Sequence, residues 1–383
     1  MSFGSLSARA IESLNKGCKL AHAYHNTGEG GLSPYHKKGG DIIFHFGTGY
    51  FGVRDDEGNF SMEKMVELVT NNPQVRAIEV KLSQGAKPGK GGVLPGSKIT
   101  AEISQIRNVP QGKDVLSPPT HSAFDGIDGL INFVEDIAEA TGLPVGIKSA
   151  VGKLSGWEEL VTKMAETGKG PDFITVDGGE GGTGAAPPSF ADHMALPWVF
   201  GFADIYQLFK KHNLCDKTVF IGSGKLGFPA RATMAFAMGV DCINVAREAM
   251  MAIGCIQAQV CHNNTCPTGI ATQSKWRQRG IHIEDKAKRT HFYFKNFRKE
   301  LLEMTHACGY EHPSQFTMDD IEFSLGDKNL LQPLADSFGY NKVPVQFEGV
   351  DAIAACSHLG GQYTSTEAER RVQKALDKNE VRY

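Results

Sequence analysis

Three cysteines fall within twelve residues, Cys255, Cys261 and Cys266, spaced C-x5-C-x4-C and followed at once by Pro267. Thiolates gathered this closely in one loop can bind a metal centre. Three of them with a Cys-Pro end look more like iron–sulfur ligation than zinc, whose sites favour C-x2–4-C pairs and four ligands. Two plainer readings compete. The cysteines can be ordinary small buried residues, or His262 can complete a zinc site.

Several glycine-rich loops carry further chemistry. Gly222-Ser223-Gly224-Lys225 follows the apolar run Val219–Ile221 and precedes a helical pattern. In a parallel barrel that is where backbone N–H groups and a helix N-terminus take a phosphate. Ala246 and Arg247 close the next apolar run, and Arg247 would neutralise the phosphate. The plain alternative is a tight turn with solvated Lys225 and Arg247. The loop Asp177–Pro187 opens Asp177-Gly178-Gly179 and stays glycine-rich. Ordering so flexible a segment costs entropy, which favours a loop running over a cofactor or substrate rather than a structural turn. Gln84–Gly96 combines two prolines, five glycines and two lysines, Lys87 and Lys90, the composition of a restrained lid.

Lys81 and Lys148 each end an apolar strand pattern. A cation pointing into a barrel mouth needs an anionic partner, and a reduced flavin is negative at its pyrimidine end. A lysine snorkelling to the rim is the alternative. Glu29, in the loop Asn26–Gly31, is placed to orient a substrate ammonium or gate the mouth, or simply to occupy a turn.

The elements that must position these residues read as βα units. Strand patterns cover Asp41–Phe46, Ala77–Leu82, Val145–Lys148, Phe173–Asp177, Val219–Ile221 and Cys242–Val245. Helical patterns cover Ser7–His22, Ser61–Thr70, Ile127–Thr141, Trp157–Thr167, Ala203–Lys211 and Pro229–Met238, with Pro229 where its missing N–H is harmless. At least six such repeats predict an α/β fold, a (β/α)8 TIM barrel, over an open doubly wound sheet, since no G-x-G-x-x-G follows the first strand. Lys286–Gly309 predicts one long amphipathic helix. The barrel is expected over 1–310, including the cysteine loop 255–266, and a polar C-terminal extension over 311–383, with a highly charged end at Glu367–Arg382. Ser2-Phe3-Gly4 reads as the end of a first barrel strand, so the chain starts without the usual lead-in.

With 383 residues, 41 % hydrophobic and 22 % charged, the chain is an ordinary globular protein with a substantial core. A net charge of −3 gives no sign of nucleic-acid binding. No apolar run reaches the roughly 18 residues that span a bilayer, and no signal peptide opens the chain, so no membrane association is expected. The other five of the eight cysteines are scattered singly and suggest no disulfide framework, which implies a reducing compartment, the cytoplasm.

Taken together, Met1–Gly4, Asn26–Gly31, Gln84–Gly96, Asp177–Pro187 and Cys255–Gln273 resemble the flavin-binding synthase domain of glutamate synthase, nearest its stand-alone, ferredoxin-dependent-like members, over roughly Met1 to Pro313. The resemblance implies FMN at the C-terminal mouth of the barrel and a [3Fe-4S] cluster on Cys255, Cys261 and Cys266. FMN contacts are implied for Ser2, Lys81, Gln84, Lys148, Asp177, Gly178, Gly179, Gly222, Ser223, Gly224, Ala246 and Arg247. Electrons then enter at the cluster and leave the flavin as a hydride to 2-iminoglutarate, formed from 2-oxoglutarate and ammonia, giving L-glutamate. Gln84, Lys87 and Arg107 would hold the 2-oxoglutarate carboxylates, with Glu29 nearby and, with Lys87, catalytic. An arginine suits that task because its fork meets a carboxylate bidentately.

Two departures bear on the substrate. Where the family reads Gly-Gly-Gln-Leu-Pro-Gly, this chain has Val93 in place of the glutamine, and the family's pair of histidines after Ser-Pro-Pro is reduced to His121 followed by Ser122. Val93 motivates an alternative oxo acid or amine donor, such as N-methylglutamate synthesis. A further alternative is an electron-relay subunit of a larger synthase complex. The family's amidotransferase domain has an N-terminal cysteine nucleophile, and position 2 here is Ser2, so the chain is expected to hydrolyse no glutamine itself. It would use free ammonia, another amine, or a separate amidotransferase subunit. Without a dinucleotide fingerprint, the expected electron donor is ferredoxin or a separate reductase subunit.

Overall fold

A computed structural model describes residues 1–180, 186–187, 189–191, 193–324 and 331–343. Its strands are β1 (His25–Asn26), β2 (Ile42–Phe46), β3 (Val75–Lys81), the short antiparallel pair β4 (Val93–Leu94) and β5 (Val115–Leu116), then β6 (Val145–Ala150), β7 (Phe173–Asp177), β8 (Val219–Ser223) and β9 (Cys242–Ile243). Seven of these, β1-β2-β3-β6-β7-β8-β9, form one parallel sheet in chain order. Helices return the chain between most of these strands: α1 (Ala8–Ala21) comes before β1, α2 (Met62–Thr70) before β3, and α3 (Ala101–Arg107) and α4 (Gly126–Thr141) before β6. They continue with α5 (Ser155–Thr167), α6 (Trp198–Lys211) and α7 (Pro229–Met238). This is the crossover that parallel pairing requires. All six strand patterns of the sequence are strands. The pair β1 escaped notice because two residues carry no periodicity.

The sheet is curled, and one carboxylate shows it. Glu79 on β3 accepts from Asn26 on β1 and from Thr175 on β7, at 2.7 and 2.5 Å. Each donor lies two strands away, about 9.5 Å in a flat sheet, beyond one side chain's reach. Curling brings all three to a shared interior. Strand residues alternate accordingly. Phe44, Phe46, Ile78, Val80, Ile147, Val176 and Phe220 face outward into the main core, against Leu130 and Val134 of α4, Val161 of α5 and Phe202 and Phe209 of α6. Ile43, Ala77, Phe173 and Ile221 face inward as a small apolar layer. Gly146 belongs to that layer: a Cβ there would lie 2.3 Å from the Phe173 ring. Strands buried on both faces explain the continuous apolar runs.

Ser2–Gly4 pairs with no sheet strand among the described residues. Phe3 forms an isolated bridge to Leu6, and the Met1 amine donates to the Asn26 carbonyl, so the segment lies beside the β1 edge.

Past β9 come α8 (Arg247–Ala252), the cysteine loop, α9 (Lys275–Gln278) and α10 (Ile283–Ala307), the long helix foreseen from Lys286. It lies along α1 at a tight crossing, where a Cβ on Gly17 would sit 2.3 Å from the Thr290 Cβ. Beyond it, Met318, Leu334 and Tyr340 join the main core, and Tyr340 stacks on Tyr206 of α6 at 5.4 Å. Cys356, Glu367–Arg382 and positions 181–185 of the glycine-rich loop lie outside the described residues. No helix among the described residues is long and apolar enough to cross a membrane.

Candidate active site

Lys81 ends β3, while β6 runs two residues past Lys148 to Ala150; the two lysines are register partners on these adjacent parallel strands, so their ammonium groups stand side by side near the C-terminal end of the sheet. Each has its own counter-ion. Lys81 Nζ donates to the Glu29 carboxylate and, at 2.8 Å, to Gln84 Oε1. Lys148 Nζ lies 3.5 Å from Asp177 Oδ1. Asp177 in turn accepts from Ser223 Oγ at 2.6 Å and from the Gly85 N–H at 2.8 Å, tying β6, β7, β8 and the lid loop together. Gly85 has to be glycine: a Cβ would fall 1.8 Å from the Gly178 carbonyl. Burial opposes the Lys148 charge, but Asp177 and Glu79 more than offset it and raise its pKa. Lys148 stays an ammonium.

Glu29 is wedged between two glycines. A Cβ on Gly47 or Gly92 would come within 2.9 or 2.7 Å of its carboxylate oxygens. Burial pushes this carboxyl up, while the Lys81 ammonium more than offsets that and holds it at about 2. Its loop starts at Asn26, whose Oδ1 accepts from the Gly28 N–H at 2.9 Å and whose amide donates to Glu79.

A cleft beside Glu29 is lined by Ser2, Ser5, Phe51, Val93, Leu94, Arg107 and Ser117. Arg107, last residue of α3, is buried there. One Nη donates to the Phe3 carbonyl at 2.9 Å, the guanidinium lies 5.2 Å over the Phe51 ring, and Nε has no partner among the described residues. Burial draws its pKa down to about 10, so it remains charged at neutral pH. An unsatisfied buried cationic donor is costly unless something else receives it. Lys87 is also buried, with Nζ donating to Gly91 inside its own loop at 3.0 Å. Burial lowers its pKa. Of the site residues expected from sequence, Lys81 thus contacts both Glu29 and Gln84, Arg107 shares a cleft with Glu29, and Lys87 bonds only within its own loop.

His121 does structural work at this mouth. Tyr50 Oη accepts from the Ser122 and Ala123 N–H groups, each at 3.0 Å, so its proton goes to His121 Nδ1 at 3.1 Å. His121 Nε2 then donates to the Lys81 carbonyl at 2.9 Å, anchoring the end of β3.

At the ends of β8 and β9, no hydrogen bond within the described residues engages the backbone N–H groups of Gly224, Lys225, Ala246 and Arg247. Strands β8 and β9 are neighbours, so these donors lie close together at one end of the sheet. Glycine at 222 and 224 also clears the Trp198 ring, which a Cβ would approach to 3.1 and 2.8 Å.

Below this mouth, the cysteine loop holds Cys266 buried and Cys255 and Cys261 half-buried. Burial pushes the Cys266 thiol up, yet the Thr268 hydroxyl and the N–H groups of Ala271, Thr268 and Ile270 more than offset it and pull it below its usual value. Such donors suit a thiolate that ligates a metal. Among the described residues no three His, Cys, Asp or Glu side chains converge on one metal ion. That counts against zinc completed by His262, which is exposed. Lys98 donates to the carbonyls of Ser5 and Cys261, at 2.7 and 3.0 Å, and Asn264 Nδ2 to the Ser97 carbonyl at 3.1 Å. The cysteine loop, the segment after Ser2 and the base of the lid are therefore joined.

Sequence reasoning missed Glu79, His45, Thr175 and Lys98. Glu79 carried a usable signal: it sits two residues before Lys81, on the same face of a buried strand.

The fold and site define an α/β protein whose seven parallel strands curl as a half-barrel, with a charged mouth and an appended cysteine loop. Residues 1–311 match the family model described as the conserved region in glutamate synthase, and the chain belongs to that family. It is 40 % identical over 333 residues to glutamate synthase large subunit-like protein YerD of Bacillus subtilis, covering 86 % of this chain and 63 % of that one. It is 32 % identical over 356 residues to the archaeal glutamate synthase [NADPH] of Methanocaldococcus jannaschii, covering 92 % and 64 %. The ferredoxin-dependent glutamate synthase of Pyropia yezoensis is 30 % identical over 86 % of this chain, which spans 21 % of that protein. The chain thus spans less than two thirds of the length of these relatives. A mandelate oxidase of known structure overlaps 79 % of the chain and 70 % of its own at TM-score 0.43 and 13 % identity, too remote to carry an argument.

Proposed function

We propose that this chain is the flavin-binding synthase part of a glutamate synthase-type oxidoreductase that reduces the imine of 2-oxoglutarate and ammonia to L-glutamate. The observation that carries the reading is the double cage at the mouth, Lys81 with Glu29 and Gln84 beside Lys148 with Asp177 and Ser223, opening onto the Arg107 cleft. FMN, when bound, supplies the hydride, and a [3Fe-4S] cluster on Cys255, Cys261 and Cys266 supplies its electrons. Lys148 would hold the negative pyrimidine edge of the flavin, and the N–H groups at 224–225 and 246–247 would take its phosphate, aided by Arg247.

The remaining chemistry is done by this chain's own side chains. Arg107, through its unpartnered Nε, and Lys87 hold the two carboxylates of the oxo acid. Glu29, ionised at neutral pH, accepts from the imine N–H and favours its protonated, more electrophilic form. Gln84 and Lys81 keep Glu29 in place. The electron donor is ferredoxin or a separate reductase subunit, and ammonia arrives free or from a separate amidotransferase subunit. The protein acts in the cytoplasm.

Val93 favours a second reading. It is 36 % exposed and apolar, in the same cleft as Glu29, and would accept an alkyl group on the amine. Measuring turnover of 2-oxoglutarate with ammonia and with methylamine separates the two. The first reading expects FMN, iron and sulfide in the anaerobically purified protein and glutamate as product. Stoichiometric zinc without flavin would overturn both.

A further inference from the structure

One buried group in this site has no assigned task. Glu79 is 1 % exposed at the centre of the curled sheet, and its carboxylate gathers donors from three other strands. Asn26 Nδ2 on β1 and His45 Nδ1 on β2 reach Oε2 at 2.7 and 2.5 Å, and Thr175 Oγ1 on β7 reaches Oε1 at 2.5 Å. Burial pushes this carboxyl up, while His45, Lys148 and Thr175 more than offset it and hold it at about 2. It is an anion. Burial also draws the His45 pKa down, so its partner is neutral imidazole, and no lysine or arginine touches Glu79 among the described residues. Hydrogen bonds satisfy the oxygens, but the charge itself is met by no contacting cation.

What feels that charge lies directly above. Lys81 is the next residue on the same face of β3, about 7 Å further along, and Lys148 is its register partner on β6. The same Asn26 that donates to Glu79 also receives the Gly28 N–H and so launches the loop bearing Glu29. Glu79 therefore acts on both halves of the mouth without touching either.

We propose that Glu79 is a positioning residue of the flavin site: its carboxylate lowers the reduction potential of FMN held above Lys81 and Lys148 and fixes the Glu29 loop through Asn26. The proposal rests on the FMN reading above. A negative charge beneath the two lysines weakens the stabilisation they give to the anionic reduced ring, and removing it strengthens that stabilisation.

The substitution Glu79→Gln isolates the charge. Its oxygen still accepts from Asn26 and His45, and its amide donates to Thr175, whose hydroxyl turns to accept. FMN content and the FMN potential would be measured for the purified wild type, Glu79→Gln and Thr175→Val. Glu79→Gln is expected to bind FMN and to favour the reduced form at least tenfold more, an upward shift of about 30 mV for a two-electron couple. Thr175→Val removes one donor and concentrates charge on the carboxylate, so its potential should move the opposite way. A structural role alone would shift both variants in one direction or neither. Equal potentials in Glu79→Gln and wild type, or shifts of the same sign, overturn the proposal while leaving the FMN reading standing. A wild type that binds no FMN defeats both. If Glu79→Gln does not fold, Thr175→Val decides: a lowered potential supports the role and an unchanged or raised one rejects it.

Discussion

Lys81 and Lys148 stand side by side on neighbouring strands, and each is neutralised from a different direction, Lys81 by Glu29 from the loop after β1 and Lys148 by Asp177 from β7. Like charges this close repel unless the site keeps both partners. Lys148→Met should therefore leave Asp177 as an unpaired carboxylate at the flavin edge. FMN should remain bound but become harder to reduce, by about tenfold or more in the reduced-to-oxidised ratio. A spectroelectrochemical titration checks this, and an unchanged potential would remove Lys148 from the ring.

Acid should act on the mouth in a defined window. Glu29 and Glu79 are each held at about 2 in the folded protein, against about 4.3 when unfolded. Depressed carboxyl values mean that their stabilisation is complete above the unfolded pKa and is lost as pH falls toward the folded one. Melting temperature should hold from neutral pH to about 5 and then drop steeply between roughly pH 4.5 and 2. Glu79→Gln should flatten that drop, its wild-type contribution being on the order of 2–3 kcal/mol. An acid profile identical in the two proteins would show that Glu79 is not ionised in the fold.

Replacing Cys255, Cys261 or Cys266 singly by serine should abolish the cluster, because a three-iron centre has three protein ligands and no spare. Cys308, exposed, and Cys215, away from the loop beside Tyr206, should be dispensable. Iron and sulfide analysis of the five variants decides it. Iron retained in all three loop variants would defeat the assignment.

The apolar strands, the long helix and the cysteine loop were legible because each is written in contiguous residues. The interior network was not. Glu79, His45, Thr175 and Asn26 are far apart in sequence and meet because the sheet curls, a property no local period records. Arg107 shows the same limit in reverse. Its place in the site was foreseen, but the Phe3 carbonyl and the Phe51 ring that hold it came only with the fold. The antiparallel pair of β4 and β5 was hidden too, since its two-residue strands carry no alternation and are joined through α3.

The same dual role of Arg107 shapes the substrate prediction. Arg107→Ala should weaken 2-oxoglutarate binding by about 1.5–3 kcal/mol, roughly tenfold to a hundredfold. It should also lower the melting temperature, because the buried Phe3 carbonyl loses its donor. Arg107→Lys separates these effects: it keeps a cation for Phe3 but lacks the fork and the unpartnered Nε. Stability should then recover largely while the apparent substrate constant stays raised. Val93→Gln tests another residue lining the same cleft. A glutamine there adds a hydrogen bond to the substrate, so 2-oxoglutarate should bind several-fold more tightly with FMN content unchanged, a gain of about 1 kcal/mol. If Val93→Gln instead weakens 2-oxoglutarate while methylamine turnover falls, the cleft is built for an alkylated amine, and the second reading of the site takes precedence.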